Sequence, residues 1–185
     1  QIIKQLLVNS LLKVLKQVIN LKHKAILFLV YSAGLRVSEV VRLRKQDIDS
    51  NRMTIHIKEA KGKKDRITIL SRASLEILRE YYKEYKPNGW LFPGEEEENH
   101  LSERSVQMVF ERALKKSGID KKVTLHCLRH SFATHLLENG TDIRLIQELL
   151  GHSSIKTTTI YTHVATKNIM NIESPLDRIF KGKKE

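Results

Sequence analysis

A single cysteine, Cys127, leaves the chain without a partner for an internal disulfide. That suits a reducing compartment, and a cytoplasmic location is expected. Cys127 follows His126 at the start of a predicted helix, where a small packing residue fits better than a nucleophile. Aromatic residues make up only 6% of the chain, which argues against a stacking platform for single-stranded nucleic acid. No apolar run reaches the length of a membrane span, and no signal peptide is visible. Negative charge is short as well: 21 Asp and Glu stand against 33 Lys and Arg, a formal net charge of +12. A surplus of that size favours a polyanion, and a duplex held by its phosphates fits best, although a merely basic surface would give the same total.

What remains is ordinary for a globular domain. The hydrophobic fraction is 41%, and 185 residues suffice for one domain with a real core. The chain begins at Gln1 rather than Met, as a fragment of a longer protein would.

Apolar residues recur at helical spacing over 2–19, and a more apolar helix is predicted over 22–33, interrupted by Gly34. A short helical turn follows over 38–43. From Arg52 the period changes to two: Met53, Ile55 and Ile57 alternate with polar residues, and Ile67 and Ile69 alternate with Arg66 and Thr68. The turn between them, 60–65, is basic. Ser71 caps a predicted helix running to about Lys86, before Pro87; Ser102 caps another, to about Ser117, closed by Gly118. Thr124 is the expected cap of a helix ended by Gly140. Thr141 or Asp142 opens the next, ended by Gly151, and Ser153 or Ser154 opens a third that carries Tyr161. The acidic run 95–98 reads as a solvated loop pointing away from phosphates. The class expected is α+β, mainly α with a small antiparallel β-sheet. The chain reads as a single domain over 1–185, with its core in 1–163 and a tail in 164–185.

The stretch 124–163 concentrates the chemistry. His126 and Arg129 lie three apart on one face of a predicted helix, at its first turn, where free N–H groups and the dipole favour an anion. A structural ion pair at a helix start would use the same residue types. Tyr161 sits among polar neighbours rather than in an apolar stripe. A tyrosine hydroxyl, with a pKa of about 10, becomes a useful nucleophile beside a proton acceptor and an electrophile activated by positive groups. His126 is the candidate acceptor; Arg36, Arg129 and His152 are the candidate positive or donor groups. His130 and His135 read as structural. No cluster of cysteine or carboxylate has metal-ligand spacing beside these histidines, so no metal is expected.

The combination of GLRVSE at 34–39, AKGKKDR at 60–66, HCLRHSFATHLL at 126–137 and LLGHSSIKTTTIYTH at 149–163 resembles the tyrosine recombinases of the phage-integrase type, in particular their Xer-like branch. The resemblance runs from about Leu21 to His163. It implies the catalytic-domain fold of that family and a site-specific DNA strand transferase. Arg36 and Arg129 would clamp the oxygens of the scissile phosphate. His126 would bond the phosphate and assist proton transfer, and His152 would bond or pack against it. Lys61, which precedes the glycine of the hairpin, would protonate the leaving 5′-oxygen, although Lys63 and Lys64 are close enough to compete. Glu39 would orient the site. Tyr161 would attack, forming a covalent 3′-phosphotyrosyl link without metal, ATP or other cofactor.

Lys63, Lys64 and Arg66 are candidate phosphate contacts, with a solvated basic turn as the bland alternative. Arg104 and Gln107 are candidate base readers if their helix enters the major groove; an ordinary amphipathic helix with a basic face is the other reading. The family implies double-stranded DNA as partner, and a tetramer of like protomers working through a Holliday junction. The tail would then dock on a neighbouring protomer, or pack on its own domain. Family members usually carry an N-terminal helical DNA-binding domain, and only about twenty residues precede the second predicted helix here, so that domain is expected to be absent from this chain. The rival readings are a type IB topoisomerase, which shares the chemistry, and a DNA-binding module without catalysis.

Overall fold

The computed structural model describes residues 8–60, 64–120 and 123–151. Among these the chain runs through α1 (Val8–Lys16), α2 (Leu21–Ser32), α3 (Val37–Val41), a 3-10 turn at Lys45–Asp47, β1 (Ile48–Asp49), β2 (Thr54–Ala60), β3 (Lys64–Ile69), α4 (Arg72–Tyr85), α5 (Glu103–Lys116), α6 (His126–Glu138) and α7 (Ile143–Leu150). The expected mainly helical fold with a small antiparallel sheet is the one that forms.

Helix α2 is the centre of the packing. Asn20 caps it by accepting the His23 N–H at 3.0 Å, which satisfies a first-turn donor. Ala25, Ile26, Leu27, Leu29 and Val30 are all buried, as befits a helix apolar on every side. Helices α4 and α6 pack against it. The chain leaves α2 through Gly34 at φ +62°. A Cβ there would stand 2.4 Å from the Phe132 ring. Only glycine therefore allows this turn to lie against α6. A second apolar cluster, of Phe132, Ala133, Leu137, Ile146 and Leu150, joins α6 to α7.

The sheet has the order β1-β2-β3, antiparallel throughout. The two-residue β1 is not foreseen by the sequence pattern; two residues are too few to carry an alternation. In the β2–β3 hairpin Ile55 faces Thr68 and Ile57 faces Arg66. Residues directly opposite share a face, and the face they share points inward. Arg66 and Thr68 are therefore buried, while Ile67 is 61% and Ile69 39% exposed. Hydropathy on β3 alone would orient it the other way round. Two bonds explain the reversal: Thr68 Oγ1 donates to the Ala33 carbonyl at 2.9 Å, and Arg66 meets Glu39.

The expected caps Ser71 and Ser102 hold, accepting the N–H of Ser74 and Ser105, and Asp142 is the cap of α7. Thr124 is not a cap. Leu125 precedes α6 without a side-chain cap bond, and the Thr124 carbonyl instead takes the Cys127 N–H at 2.9 Å. The helix expected over 2–19 is described from Val8 and ends at Lys16. The helix expected to carry Tyr161, and the tail, lie outside the described residues. No helix among the described residues is long and apolar enough to cross a membrane.

Candidate active site

Three arginines from three separate elements surround one buried carboxylate. Glu39, in the first turn of α3, folds back to accept the Arg36 backbone N–H at 2.8 Å and Arg36 Nη1 at 2.8 Å. From β3, Arg66 donates Nη1 to Oε1 at 2.6 Å and Nη2 to Oε2 at 2.8 Å. From α6, Arg129 Nη1 stands 3.8 Å from Oε2. Burial pushes the Glu39 carboxyl up. The hydrogen bonds and charge of Arg66 oppose it, helped by the Arg36 amide and by Arg129, and the outcome is a pKa of about 2. Glu39 is thus ionised at any working pH, and the cluster keeps an excess of positive charge.

The two arginines expected to hold a phosphate are placed differently. The Arg36 side chain is 23% exposed; that of Arg129 is 2% exposed. The Arg129 fork spans the carbonyls of Gly34 and Leu150, through Nη1 and Nη2 respectively. Arg36 is the arm that reaches solvent, and Arg129 lies beneath it.

His126 occupies the first turn of α6 with an exposed edge. Its ring leans edge-on against His130, with centroids 4.4 Å apart at 85°. Partial burial lowers the His126 pKa, and the charges of Arg129 and Arg36 lower it further, so the imidazole is neutral at pH 7 and available to accept a proton. His130 is pushed down to about 4 by burial, with His126 and Arg129 adding to the effect. Sequence reasoning treats His130 as structural and misses this contact; its spacing of four from His126 is the available signal. The first-turn amides are less open than expected. Those of Cys127 and Leu128 already donate to the carbonyls of Thr124 and Leu125, so the side chains carry more of any anion binding than the helix end does.

Arg66 needs correction. Expected as a phosphate contact on a basic hairpin, it is buried, with Nη1 and Nη2 on Glu39 and Nε on the Leu149 carbonyl at 2.9 Å. Arg104 is exposed on α5 and lies 3.5 Å from Glu111. Gln107 shares a hollow of about 290 Å³ with Thr124 and His126, so this part of α5 borders the site. Lys61, Lys63, His152 and Tyr161 lie outside the described residues, and Lys64 is described only as the first residue of β3.

A larger cleft, of about 880 Å³, opens beside Arg36 and Glu39. Arg42, Arg44 and Lys58 line it. Arg44 lies over the Trp90 ring at 4.2 Å, and Lys58 pairs with Asp47 at 3.2 Å. None of these basic residues stands out in the sequence, because they come from the end of α3, the following loop and β2 and converge only in the fold.

Residues 2–168 match the phage integrase family. The tyrosine recombinase XerA of Pyrococcus horikoshii is 42% identical over 169 residues, covering 90% of this chain and 59% of that protein. The crystal structure of XerA recombinase superposes with a TM-score of 0.80 at 30% identity, over 98% of this chain and 64% of that one. A structure of XerH recombinase bound to a palindromic difH substrate, a post-cleavage complex, matches with a TM-score of 0.80 at 26% identity, over 92% and 52%. The catalytic domain of bacteriophage HP1 integrase matches with a TM-score of 0.70 at 27% identity, over 91% and 92%. The chain spans between about half and two thirds of the length of the curated relatives it matches.

Proposed function

The chain belongs to the phage integrase family, and from that premise we propose that it is the catalytic domain of a site-specific DNA recombinase, breaking and rejoining duplex strands through Tyr161. The observation that carries the reading is the gathering of Arg36 and Arg129 around Glu39, with His126 close enough to feel the charge of both arginines, from segments far apart in the chain. A phosphodiester turning five-coordinate gains negative charge, and fixed cations in a partly dry site stabilise that charge more than water does.

The steps follow from the side chains. The Tyr161 hydroxyl attacks phosphorus and passes its proton to neutral His126. The bond from phosphorus to the 5′-oxygen breaks, and Lys61 protonates that oxygen. The products are a 3′-phosphotyrosyl ester and a free 5′-hydroxyl. The ester conserves the energy of the broken bond, so a 5′-hydroxyl can reverse the reaction without nucleotide hydrolysis. Arg36 meets the phosphate directly and His152 adds a donor. Arg129 acts as a charge from below, and since its side chain is 2% exposed, direct contact requires the phosphate to reach one of its other N–H donors. Glu39 orients the arginines.

The substrate in this reading is double-stranded DNA, its backbone running along the cleft of Arg42, Arg44 and Lys58, with Lys63, Lys64, Arg104 and Gln107 as further contacts. The working form is a tetramer of like protomers on two duplexes in the cytoplasm, with the tail from Val164 docked on a neighbour. A nicked suicide duplex tests the chemistry. The wild-type chain should form a covalent adduct that Tyr161→Phe abolishes; an adduct surviving that change would refute the nucleophile. Relaxation of supercoils by a monomer, without sequence preference, would point to a topoisomerase instead.

A further inference from the structure

Arg66 is a buried cation of the cluster whose guanidinium bonds to two other elements. Its side chain is 6% exposed. Its fork covers both oxygens of Glu39, and its Nε holds the Leu149 carbonyl. Its stem passes under Gly151, where an added Cβ would come within 2.7 Å of Arg66 Cδ. One side chain thus links β3 to the first turn of α3 and to the end of α7. Each of those elements leads to a residue of the proposed site: Arg36 stands at the start of α3, Lys61 on the hairpin that β3 closes, and His152 directly after Gly151.

We propose that Arg66 is a positioning residue for strand cleavage, holding Glu39 so that Arg36 stays turned toward the phosphate and fixing how the chain leaves α7 at Gly151. This rests on the functional reading above. Glu39 is faced by Arg36 from α3, Arg66 from β3 and Arg129 from α6. Without Arg66 the Glu39 carboxylate loses the fork that fixes its orientation, and Arg36 keeps only a loosely held acceptor, which protonation of Glu39 would weaken further. Burial is also then opposed by fewer partners, so the carboxyl titrates nearer the pH of an assay. A lysine restores the charge but not the fork.

The test uses this chain and a nicked suicide duplex captured by it from a pool of random nicked duplexes. Single-turnover adduct formation is followed across pH for wild type, R66M, R66K and the double variant E39Q/R66M. R66M should cleave about 100-fold more slowly, the scale of a small misplacement at a reacting centre. It should also gain an acid limb, losing rate as pH falls and Glu39 takes up a proton. R66K should recover part of the loss without that limb. E39Q/R66M, which removes the lone buried carboxylate and so protects folding, should be slow at every pH, also without the added limb. A merely structural role would move melting temperature and active fraction but not the pH profile. R66M matching wild type in rate and profile, or E39Q/R66M keeping the acid limb, overturns the inference while leaving the function intact. No Tyr161-dependent adduct from wild type overturns the functional reading and this inference with it.

Discussion

Arg66 and Glu39 meet fork to fork, 27 residues apart in the chain, with both side chains less than a tenth exposed. Parallel N–H···O bonds of this kind fix orientation as well as charge. Removing one member strands the other in a dry setting, which typically costs about 3–5 kcal/mol.

Glu39→Gln should therefore destabilise the chain at neutral pH by about 3 kcal/mol. The sign of its pH dependence follows from a folded pKa of about 2 against an ordinary 4.5. The Glu39 contribution is fully present above pH 4.5 and is lost as pH falls toward 2. Melting curves of wild type and E39Q should converge across that window. A gap that stays constant would mean that the carboxylate charge is not what holds the cluster.

His130 should titrate well below a free histidine, near 4, as read from its ring resonances by NMR. His126→Ala removes one cause of that depression, the facing imidazole, and should raise the His130 midpoint. Since folding lowers the His130 pKa, its burial as a neutral ring weakens stability as pH drops from about 6.5 toward 4. An unmoved midpoint in H126A would separate the two rings electrostatically.

Arg42→Ala and Arg44→Ala should each weaken DNA binding across all sequences. The slope of log affinity against log salt should fall by about one for each phosphate that the variant no longer neutralises. Binding isotherms at several salt concentrations measure this, and an unchanged slope in both variants would remove the cleft from the DNA path.

Gly34→Ala should lower the melting temperature sharply. It combines a φ of +62° with a Cβ 2.4 Å from a buried ring, and overpacking of a core costs about 1–3 kcal/mol. Phe132→Leu in the same chain should recover part of the loss if the ring is the obstacle.

The helices are legible in the sequence because their signals are local. Ser71, Ser102 and Asp142 cap the helices they precede, and Gly34 breaks α2 where its backbone must turn. The motif residues Arg36, Glu39, His126 and Arg129 are legible as types of chemistry. The orientation of β3 is not, because it is decided by two partners outside the strand, Ala33 and Glu39. Arg66 reads as a solvated hairpin cation for that reason. The cleft of Arg42, Arg44 and Lys58 escapes notice because its walls come from three stretches that say nothing of one another in sequence.

The two carbonyls held by Arg129 belong to Gly34, 95 residues earlier, and Leu150, 21 residues later. The brace on Arg129 closes only when nearly the whole domain has been synthesised. A copy that ends before α7 therefore lacks the Leu150 acceptor of this buried guanidinium.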